Sequence, residues 1–585
     1  MTRSKTLLFW ALAFCSLWLF LQYNHRYLFY YEEQLQLFLF SRRYAADTIC
    51  QVGGISLYLS RFLTQFFLLP YVGAGVVSLL LCGIGVAIQC ILRRMVCGVR
   101  HAYLLYILPS LILLGLHLDF NYTLQGSLAY LFMVVALCGY VCINSLYRRL
   151  FAGWALLLLL YGLAGAVAFL FAAMTVLWEG LHRQRWWYLA VLLLAGAWGL
   201  AYLSLRFSYV GEYRLALLPD AYYDPLLPAG KLYVSWAVLP TCFLAAWFLR
   251  KRKALSARTG WIAYGCQLCL ATYFTYYIGT HYRHDKVTEN NIKQDYYVRT
   301  EDWDRVIATF SAGEYNLQTI NLLNMALARK GILGDTMFSY AQEGHACLLP
   351  EWDSTLPNAI ALSDVYYTIG DIALSQKLAF EGYVASINGG CVRLLQRLAE
   401  TNIIFGAYSV AEKYICILEK TLFYKDQANA LRPYLYNDQT VKQDRLFSNK
   451  RRGLGGNGCP YAVSFDQMET LRQLTLNNPA DQTAITYLAA CYLVDKDLSH
   501  FRELLETYYG TEVWPTLSTS QQEAVIALEE DNPHYWLTHG VSLKVENRYD
   551  LFSYDLESKR HLYNFQELMA SAYRNTYWYY FLFKR

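Results

Sequence analysis

The chain has few charged residues for its length, and this shortage limits the class of protein it can be. Asp, Glu, Lys and Arg make up 16% of its 585 residues, whereas soluble domains carry about 25%. Hydrophobic residues make up 56%, and their excess lies before residue 280. The composition therefore predicts an integral membrane region followed by a soluble one. The basic residues cluster at the ends of apolar segments, which is topology information and gives no support to nucleic-acid binding.

The sequence also lacks the short motifs that identify several large enzyme classes. It contains no GxxxxGK[ST] phosphate loop, no HExxH zinc motif, no nucleophile elbow, no Rossmann glycine motif and no kinase set. The cysteines have no regular spacing that would indicate a disulfide framework. His182, His281 and His284 have no partner pattern typical of a metal site. Any chemistry is therefore expected between the loops and the membrane helices.

Nine segments are predicted to cross the membrane. The first, 6–23, follows Arg3 and Lys5 and precedes no small-residue cleavage site, so it is predicted to be a retained helix with a cytoplasmic N-terminus. Two short helices are predicted within 153–180. The other six predicted crossings are 67–92, 102–118, 127–146, 187–205, 232–249 and 261–278.

The two-helix prediction for 153–180 rests on the basic residues at both of its ends. Arg149 and Arg183 both lie in the cytoplasm only if the chain between them crosses the membrane an even number of times. As one helix that stretch would be about 50 Å long, against a bilayer core of about 30 Å. Gly162 and Gly165, in "YGLAGA", permit a turn. This topology places three loops, 24–65, 117–125 and 206–231, in the same extracytoplasmic compartment as the C-terminal region.

The C-terminal region has a repeated pattern of paired helices. A polar linker is predicted at 281–296 and a helical-repeat domain at 297–585, after a membrane domain at 1–280. Gly331, Gly370 and Gly406 mark turns 39 and 36 residues apart, near the tetratricopeptide period of about 34. A fourth pair turns at Lys496. The region resembles a tetratricopeptide-like α-solenoid, so the predicted fold is all-α, and the concave face of the solenoid is expected to bind a protein partner.

The layout of 1–280 resembles the GT-C class of membrane glycosyltransferases. The resemblance rests on Glu32-Glu33 in the first long loop, Asp119 in "HLDFNYT", the "YGLAGA" hairpin and the extracytoplasmic repeat domain. Glu32-Glu33 stands where that class often has Asp-Glu or Asp-Asp. The resemblance implies transfer of a sugar from a polyprenyl-phosphate donor to an envelope acceptor at the inner membrane. The whole chain also resembles a family of polytopic Bacteroidetes proteins with helical-repeat tails, a likeness that implies no activity.

A sugar-transfer site needs a base for the acceptor hydroxyl and a cation for the donor phosphate. Glu32, Glu33 and Asp119 are the candidate catalytic acids. No metal ligands are assigned, although a divalent metal cofactor is left open. The candidate phosphate-binding residues are Arg42, Arg43, Arg206 and Arg214.

Two alternatives compete with the enzyme hypothesis. At the level of residues, Glu32, Arg42 and Arg43 would simply belong to an amphipathic helix at the membrane surface. At the level of the chain, the membrane domain would anchor the repeat domain as a non-enzymatic scaffold for envelope protein assembly.

The predicted topology can be tested with reporter fusions at His182 and Lys286. Because the basic clusters are assigned to the cytoplasm, the fusion at His182 should report cytoplasm and the fusion at Lys286 the exterior. Finding both reporters in one compartment would contradict the nine-helix topology.

Overall fold

The computed structural model describes residues 2–95, 102–182, 186–224, 230–249, 257–281, 286–351, 355–386, 390–455 and 466–584. Across these ranges the protein is helical and has no β-strand, only two isolated bridges. The chain divides into two compact units. The first comprises Met1–His284 and Lys420–Phe423, and the second comprises Asp285–Glu419 and Tyr424–Arg585.

The described residues of the first unit form thirteen α-helices and three short 3₁₀ helices. The α-helices are α1 (Thr2–Asn24), α2 (Arg26–Gln34), α3 (Arg42–Ile49), α4 (Gly54–Thr64), α5 (Val72–Met95), α6 (Tyr103–His117), α7 (Leu124–Cys142), α8 (Leu146–Ala164), α9 (Val167–His182), α10 (Val191–Arg206), α11 (Tyr213–Leu217), α12 (Gly230–Leu249) and α13 (Ala257–His281). The 3₁₀ helices are Gln65–Leu68, Trp187–Ala190 and Pro219–Tyr222.

Six of these helices are long and apolar enough to cross a membrane, namely α1, α5, α7, α8, α10 and α12. Helices α6 and α9 are apolar but shorter, and α13 is not among the six. The helices of a polytopic membrane protein are therefore present, whereas the count of nine crossings stays a prediction. The orientation of the crossings also stays a prediction. Several of the basic residues on which it rests (Arg100, Arg183, Arg185 and 250–253) lie outside the described residues.

The break between α8 and α9 lies within the "YGLAGA" stretch. Helix α8 ends at Ala164, and Gly165 follows with a φ of 78°, a left-handed conformation that glycine adopts without steric cost. The Gly165 N–H donates to the carbonyl groups of Leu160 and Tyr161, which satisfies the last turn of α8. Two contacting helices therefore replace one long helix in this segment.

A buried ion pair joins α8 to α9 at the ends of these helices that are far from Gly165. Arg149 donates from Nε to Glu179 Oε1 at 2.8 Å and from Nη2 to Oε2 at 2.9 Å. Tyr140 of α7 donates to the same Glu179 Oε1 at 3.0 Å, and Arg149 Nη1 donates to the Ile143 carbonyl at 3.0 Å. The sequence analysis treated Arg149 only as a cytoplasmic flank, but its side chain is buried and holds three helices together.

The described residues of the second unit form nineteen α-helices and three 3₁₀ helices. The α-helices are α14 (Lys286–Arg299), α15 (Trp303–Thr309), α16 (Leu317–Arg329), α17 (Leu333–Thr336), α18 (Leu356–Ile369), α19 (Ile372–Ala385), α20 (Val392–Phe405), α21 (Tyr408–Leu418), α22 (Lys425–Leu431), α23 (Asp438–Gln443), α24 (Arg445–Gly453), α25 (Gln467–Asn477), α26 (Gln482–Val494), α27 (Leu498–Tyr508), α28 (Thr519–Leu528), α29 (Pro533–Thr538), α30 (Leu543–Lys559), α31 (Phe565–Tyr573) and α32 (Tyr577–Phe583). The 3₁₀ helices are Met337–Ser339, His345–Cys347 and Arg432–Tyr434.

The predicted turns of the second unit lie between helices. Gly331, Gly370, Gly406 and Lys496 all have positive φ angles, and each separates the two helices of a predicted pair. The stacking of the pairs is different from a simple array, because α26 of the fourth pair also packs against α16, α17 and α18. The predicted tetratricopeptide-like α-solenoid is therefore not confirmed.

Two further stretches of the second unit form helices with buried residues. Residues 286–296 of the predicted linker belong to α14, whose Ile292 and Val298 are buried, while 282–285 lie outside the described residues. The aromatic C-terminal helix α32 lies in the core. Its Tyr577 N–H donates to Glu523 Oε2 at 2.6 Å, and its Tyr580 hydroxyl donates to the Val494 carbonyl at 2.8 Å.

The Arg149–Glu179 pair provides a test of the packing of α7, α8 and α9. Glu179→Ala leaves a buried guanidinium without its carboxylate, so it should destabilise the membrane unit by about 3–5 kcal/mol. The measurement is thermal unfolding of the purified protein in detergent. The double variant Arg149→Met, Glu179→Leu buries no charge and should unfold closer to wild type. A Glu179→Ala variant as stable as wild type would show that the pair does not hold these helices.

Candidate functional site

Three loops were predicted to face the same compartment. Two of these loops are paired with each other. Tyr122 and Tyr223 form an isolated antiparallel bridge between loops 117–125 and 206–231. The Thr123 N–H donates to the Tyr222 carbonyl at 3.3 Å, and the Asp224 N–H donates to the Asn121 carbonyl at 3.2 Å. This pairing brings the acids of the two loops into one region.

The first loop joins them through Glu32. Helix α7 begins at Leu124, and the side chain of its N-cap residue, Thr123, makes no capping bond. Glu32 Oε1 instead accepts the Leu124 N–H at 2.8 Å and a bond from Gln36 Nε2 at 3.2 Å. A carboxylate suits this position because the first N–H groups of a helix lack partners and carry partial positive charge.

Loops 24–65 and 206–231 also form hydrogen bonds with the backbone at the break between α8 and α9. The Tyr222 hydroxyl donates to the Ala164 carbonyl at 2.5 Å and accepts the Val167 N–H at 3.1 Å. Gly53 of the first loop donates its N–H to the Gly162 carbonyl at 3.1 Å. A side chain at Gly53 would have its Cβ 3.1 Å from the Ala164 carbonyl, and its φ is 73°, so glycine is required there.

The remaining acids are held by tyrosine hydroxyl groups. Asp119 Oδ2 accepts from Tyr223 at 3.0 Å, and Asp119 Oδ1 accepts the Asn121 N–H at 3.1 Å. Burial, and then the neighbouring Asp119, raise the pKa of Tyr223 to about 12, so at neutral pH it stays a donor. Asp220 Oδ2 accepts from Tyr233 at 2.5 Å. We call Glu32, Asp119, Asp220, Tyr222 and Tyr223 the loop cluster.

Glu32 of the loop cluster has a strongly shifted pKa. Burial raises the pKa of Glu32 to about 7, although the bonds from Leu124 and Gln36 act in the opposite direction. A carboxyl group with this pKa exchanges protons readily near neutral pH, which is what general acid–base catalysis requires. Glu33 is completely buried. The structure therefore separates the two adjacent glutamates that the sequence analysis could not distinguish.

The four predicted phosphate-binding arginines differ in exposure and in their contacts. Arg214 lies beside the loop cluster, with its Nε 3.7 Å from Asp220 Oδ1 and its side chain 41% exposed. Arg42, Arg43 and Arg206 are exposed and form no ion pair with the acids of the loop cluster in the described residues. Arg43 lies 3.7 Å from Asp47, one turn later in α3. This placement fits the surface-helix alternative for Arg42 and Arg43.

Sequence reasoning missed Asp220 and a buried hydrogen-bond chain under the loop cluster. His117 Nε2 lies 2.8 Å from Ser127 Oγ, which lies 3.2 Å from the Tyr122 hydroxyl. The sequence signal for Asp220 is the stretch "DAYYD", 220–224, in which two acids flank two tyrosines of loop 206–231. Ser127 is completely buried, so this chain links α6 to α7 and does not offer a nucleophile.

The described residues do not fit the divalent metal that was left open as a cofactor. Within the described ranges, no three His, Cys, Asp or Glu side chains are grouped so that they could hold a metal ion. The oxygens of Asp119 and Asp220 are bonded to tyrosine hydroxyl and backbone N–H groups instead.

Comparison with known proteins gives one match. The model of a family of unknown function, DUF6057, matches residues 2–584 and so spans both units. No curated protein matches the chain, and no solved structure does. The GT-C and tetratricopeptide resemblances receive no support from these comparisons.

The Tyr222 hydroxyl provides a test of the loop cluster. Tyr222→Phe leaves a buried carbonyl and a buried N–H at the α8–α9 break without their partner, so it should destabilise the unit by about 1–3 kcal/mol. Thermal unfolding in detergent measures the effect. Tyr209→Phe, which removes a hydroxyl from an exposed ring of the same loop, is the matched control and should unfold like wild type. Equal unfolding temperatures for the two variants would contradict the bridging role.

Proposed function

We propose that this chain, which belongs to the family of unknown function DUF6057, is a membrane transferase that moves a sugar from a lipid-phosphate donor to an envelope acceptor. The observation that carries the proposal is Glu32, a partly buried carboxyl group with a pKa raised to about 7 where three loops meet. Such a group is costly to place in a fold for stability alone, and perturbed carboxyl groups in a cluster of polar side chains are typical of functional sites.

In the proposed reaction Glu32 is the general base. Its carboxylate takes the proton of the acceptor hydroxyl as the acceptor oxygen bonds to the anomeric carbon of the sugar. The bond between that carbon and the donor phosphate breaks, and the lipid phosphate leaves with the electron pair. The ionised fraction of Glu32 rises as the pH increases through about 7. Because the carboxylate is the active form, activity should rise over the same pH range.

Arg214 is the proposed contact for the donor phosphate. It is the one candidate arginine beside an acid of the loop cluster, and it is partly exposed. A guanidinium group binds two phosphate oxygens at once and would stabilise the charge that builds on the leaving phosphate. Arg42, Arg43 and Arg206 have no part in this proposal.

A second candidate function is a membrane-anchored scaffold for envelope proteins. It is favoured by the hydrogen bonds of the loop cluster, since Glu32, Asp119 and Asp220 each already have a protein donor. In that case the acids only close the ends of helices and hold the loops, and the second unit binds the partner through its helix pairs.

Glu32→Gln separates the two functions. The amide oxygen of Gln still accepts the Leu124 N–H, so the fold should be retained, but a neutral amide cannot take a proton. Sugar transfer should fall by about 10²–10⁴-fold. The measurement is the envelope glycan profile, by mass spectrometry, of a deletion strain complemented with wild type or variant at matched membrane levels.

Glu212→Gln is the control for that experiment, because it neutralises an exposed acid in the loop that carries Asp220. It should restore the profile as wild type does. A deletion strain with an unchanged profile, or full restoration by Glu32→Gln, would exclude the transferase proposal and favour the scaffold.

A further inference from the structure

Inside the second unit, two buried tyrosine hydroxyl groups have no partner in the described protein. They belong to Tyr367 of α18, which is 5% exposed, and Tyr487 of α26, which is completely buried. Buried hydroxyl groups almost always form a hydrogen bond, because leaving one unbonded costs about 1–3 kcal/mol. Among the described residues, both hydroxyl groups therefore keep their hydrogen-bonding capacity for a ligand.

Cations surround the Tyr367 ring. The Arg397 guanidinium carbon lies 3.5 Å from the ring centroid, and Lys450 Nζ lies 4.4 Å from it. The charge of Arg329 acts on both tyrosines and on Lys450, which places the Arg329 side chain in the same region. We call Arg329, Tyr367, Arg397, Lys450 and Tyr487 the cation cluster.

The carboxylates nearby are used by two arginines. Arg393 donates from Nη1 to both oxygens of Asp295, at 2.7 and 2.9 Å. Arg397 donates to Asp364 Oδ1 at 2.8 Å and to Glu400 Oε2 at 2.7 Å. Arg329 and Lys450 form no ion pair with these carboxylates in the described residues, although the charges of Asp481 and Glu400 act on Lys450.

Lys450 is an unusual buried ammonium group. It lies in the basic, glycine-rich stretch 448–460, of which 448–453 belong to α24 and 456–460 lie outside the described residues. The Lys450 side chain is buried, and its one hydrogen bond is to the Tyr367 carbonyl. An ammonium group has three donors. Burial lowers the pKa of Lys450 to about 7, although the charges of Asp481 and Glu400 act in the opposite direction.

Arg329 connects this buried group to solvent. It is exposed at the end of α16, its Nη2 lies 3.0 Å from the Thr368 hydroxyl, and its guanidinium carbon lies 5.8 Å from the Trp303 ring centroid. In the part of the chain that is described, no carboxylate forms an ion pair with it, so an anion that comes from solvent would meet Arg329 first.

We propose that the cation cluster is a binding site for an oxyanion group, a phosphate or a carboxylate, held by Arg329 and Lys450 and hydrogen-bonded by the hydroxyl groups of Tyr367 and Tyr487. Water would also satisfy the two hydroxyl groups. An oxyanion satisfies them and in addition forms charge-assisted hydrogen bonds with Arg329 and Lys450, because each of its oxygens accepts several hydrogen bonds. The site lies within the second unit and is independent of the proposed sugar transfer.

The test uses the full chain in detergent, with thermal unfolding followed by intrinsic fluorescence at constant ionic strength. Sodium chloride is replaced stepwise by sodium phosphate in one series and by sodium succinate in another. At least one series should raise the unfolding temperature of wild type to a plateau, as expected for a ligand that binds the folded state. The series that does so identifies the group as phosphate or carboxylate.

Arg329→Gln should weaken the apparent affinity at least tenfold, and because its side chain is exposed the variant should fold. Lys450→Met should remove the effect entirely. Lys442→Gln, at an exposed lysine of α23, is the matched control and should behave as wild type, which separates site binding from a general salt effect. The proposal fails if neither anion raises the unfolding temperature of wild type, or if Arg329→Gln responds as wild type does.

Discussion

The break between α8 and α9 is the constraint on which the membrane unit depends. A chain that reverses at a buried place leaves carbonyl and N–H groups that other parts of the protein must satisfy. Here the Tyr222 hydroxyl bonds both the Ala164 carbonyl and the Val167 N–H, and Gly53 approaches closely enough to bond Gly162. The loops that supply these groups are thereby fixed, and with them the acids that they carry.

Two different kinds of interaction stabilise the two ends of the helix pair α8–α9. At the break, neutral hydrogen bonds from Tyr222 satisfy the backbone. At the other end, Arg149 and Glu179 form a bidentate ion pair that Tyr140 completes. At the start of α7, the Glu32 carboxylate takes the place of an N-cap side chain. Its burial raises its pKa to about 7, so the group that closes the helix is also the one suited to move a proton.

In the second unit, helices that are distant in the chain pack against each other. Helix α26 packs on α16, α17 and α18, and α24 packs on α20. Lys450 of α24, Tyr367 of α18 and Tyr487 of α26 are all buried, so the oxyanion site that we propose draws its residues from helices that only the fold brings near each other.

The sequence by itself determined the class of the protein, the positions of most helices and the turns between them. Hydropathy located the apolar helices, because each must cover about 20 residues whatever packs beside it. Gly165, Gly331, Gly370 and Gly406 could be predicted as turns because a left-handed backbone favours glycine locally. Asp119 was also predicted, and it does lie in the loop cluster.

Only the tertiary structure decided which charged groups meet. Nothing local distinguishes Glu32 from Glu33, and their difference comes from α7 and the surroundings that bury them. Arg43 and Arg214 look alike in the sequence, yet one is almost fully exposed and the other lies beside Asp220. Lys450 is buried against Tyr367, which is distant in the chain, so its own stretch of sequence does not indicate its burial. Burial and pairing depend on contacts between distant segments, which the order of residues along one segment does not contain.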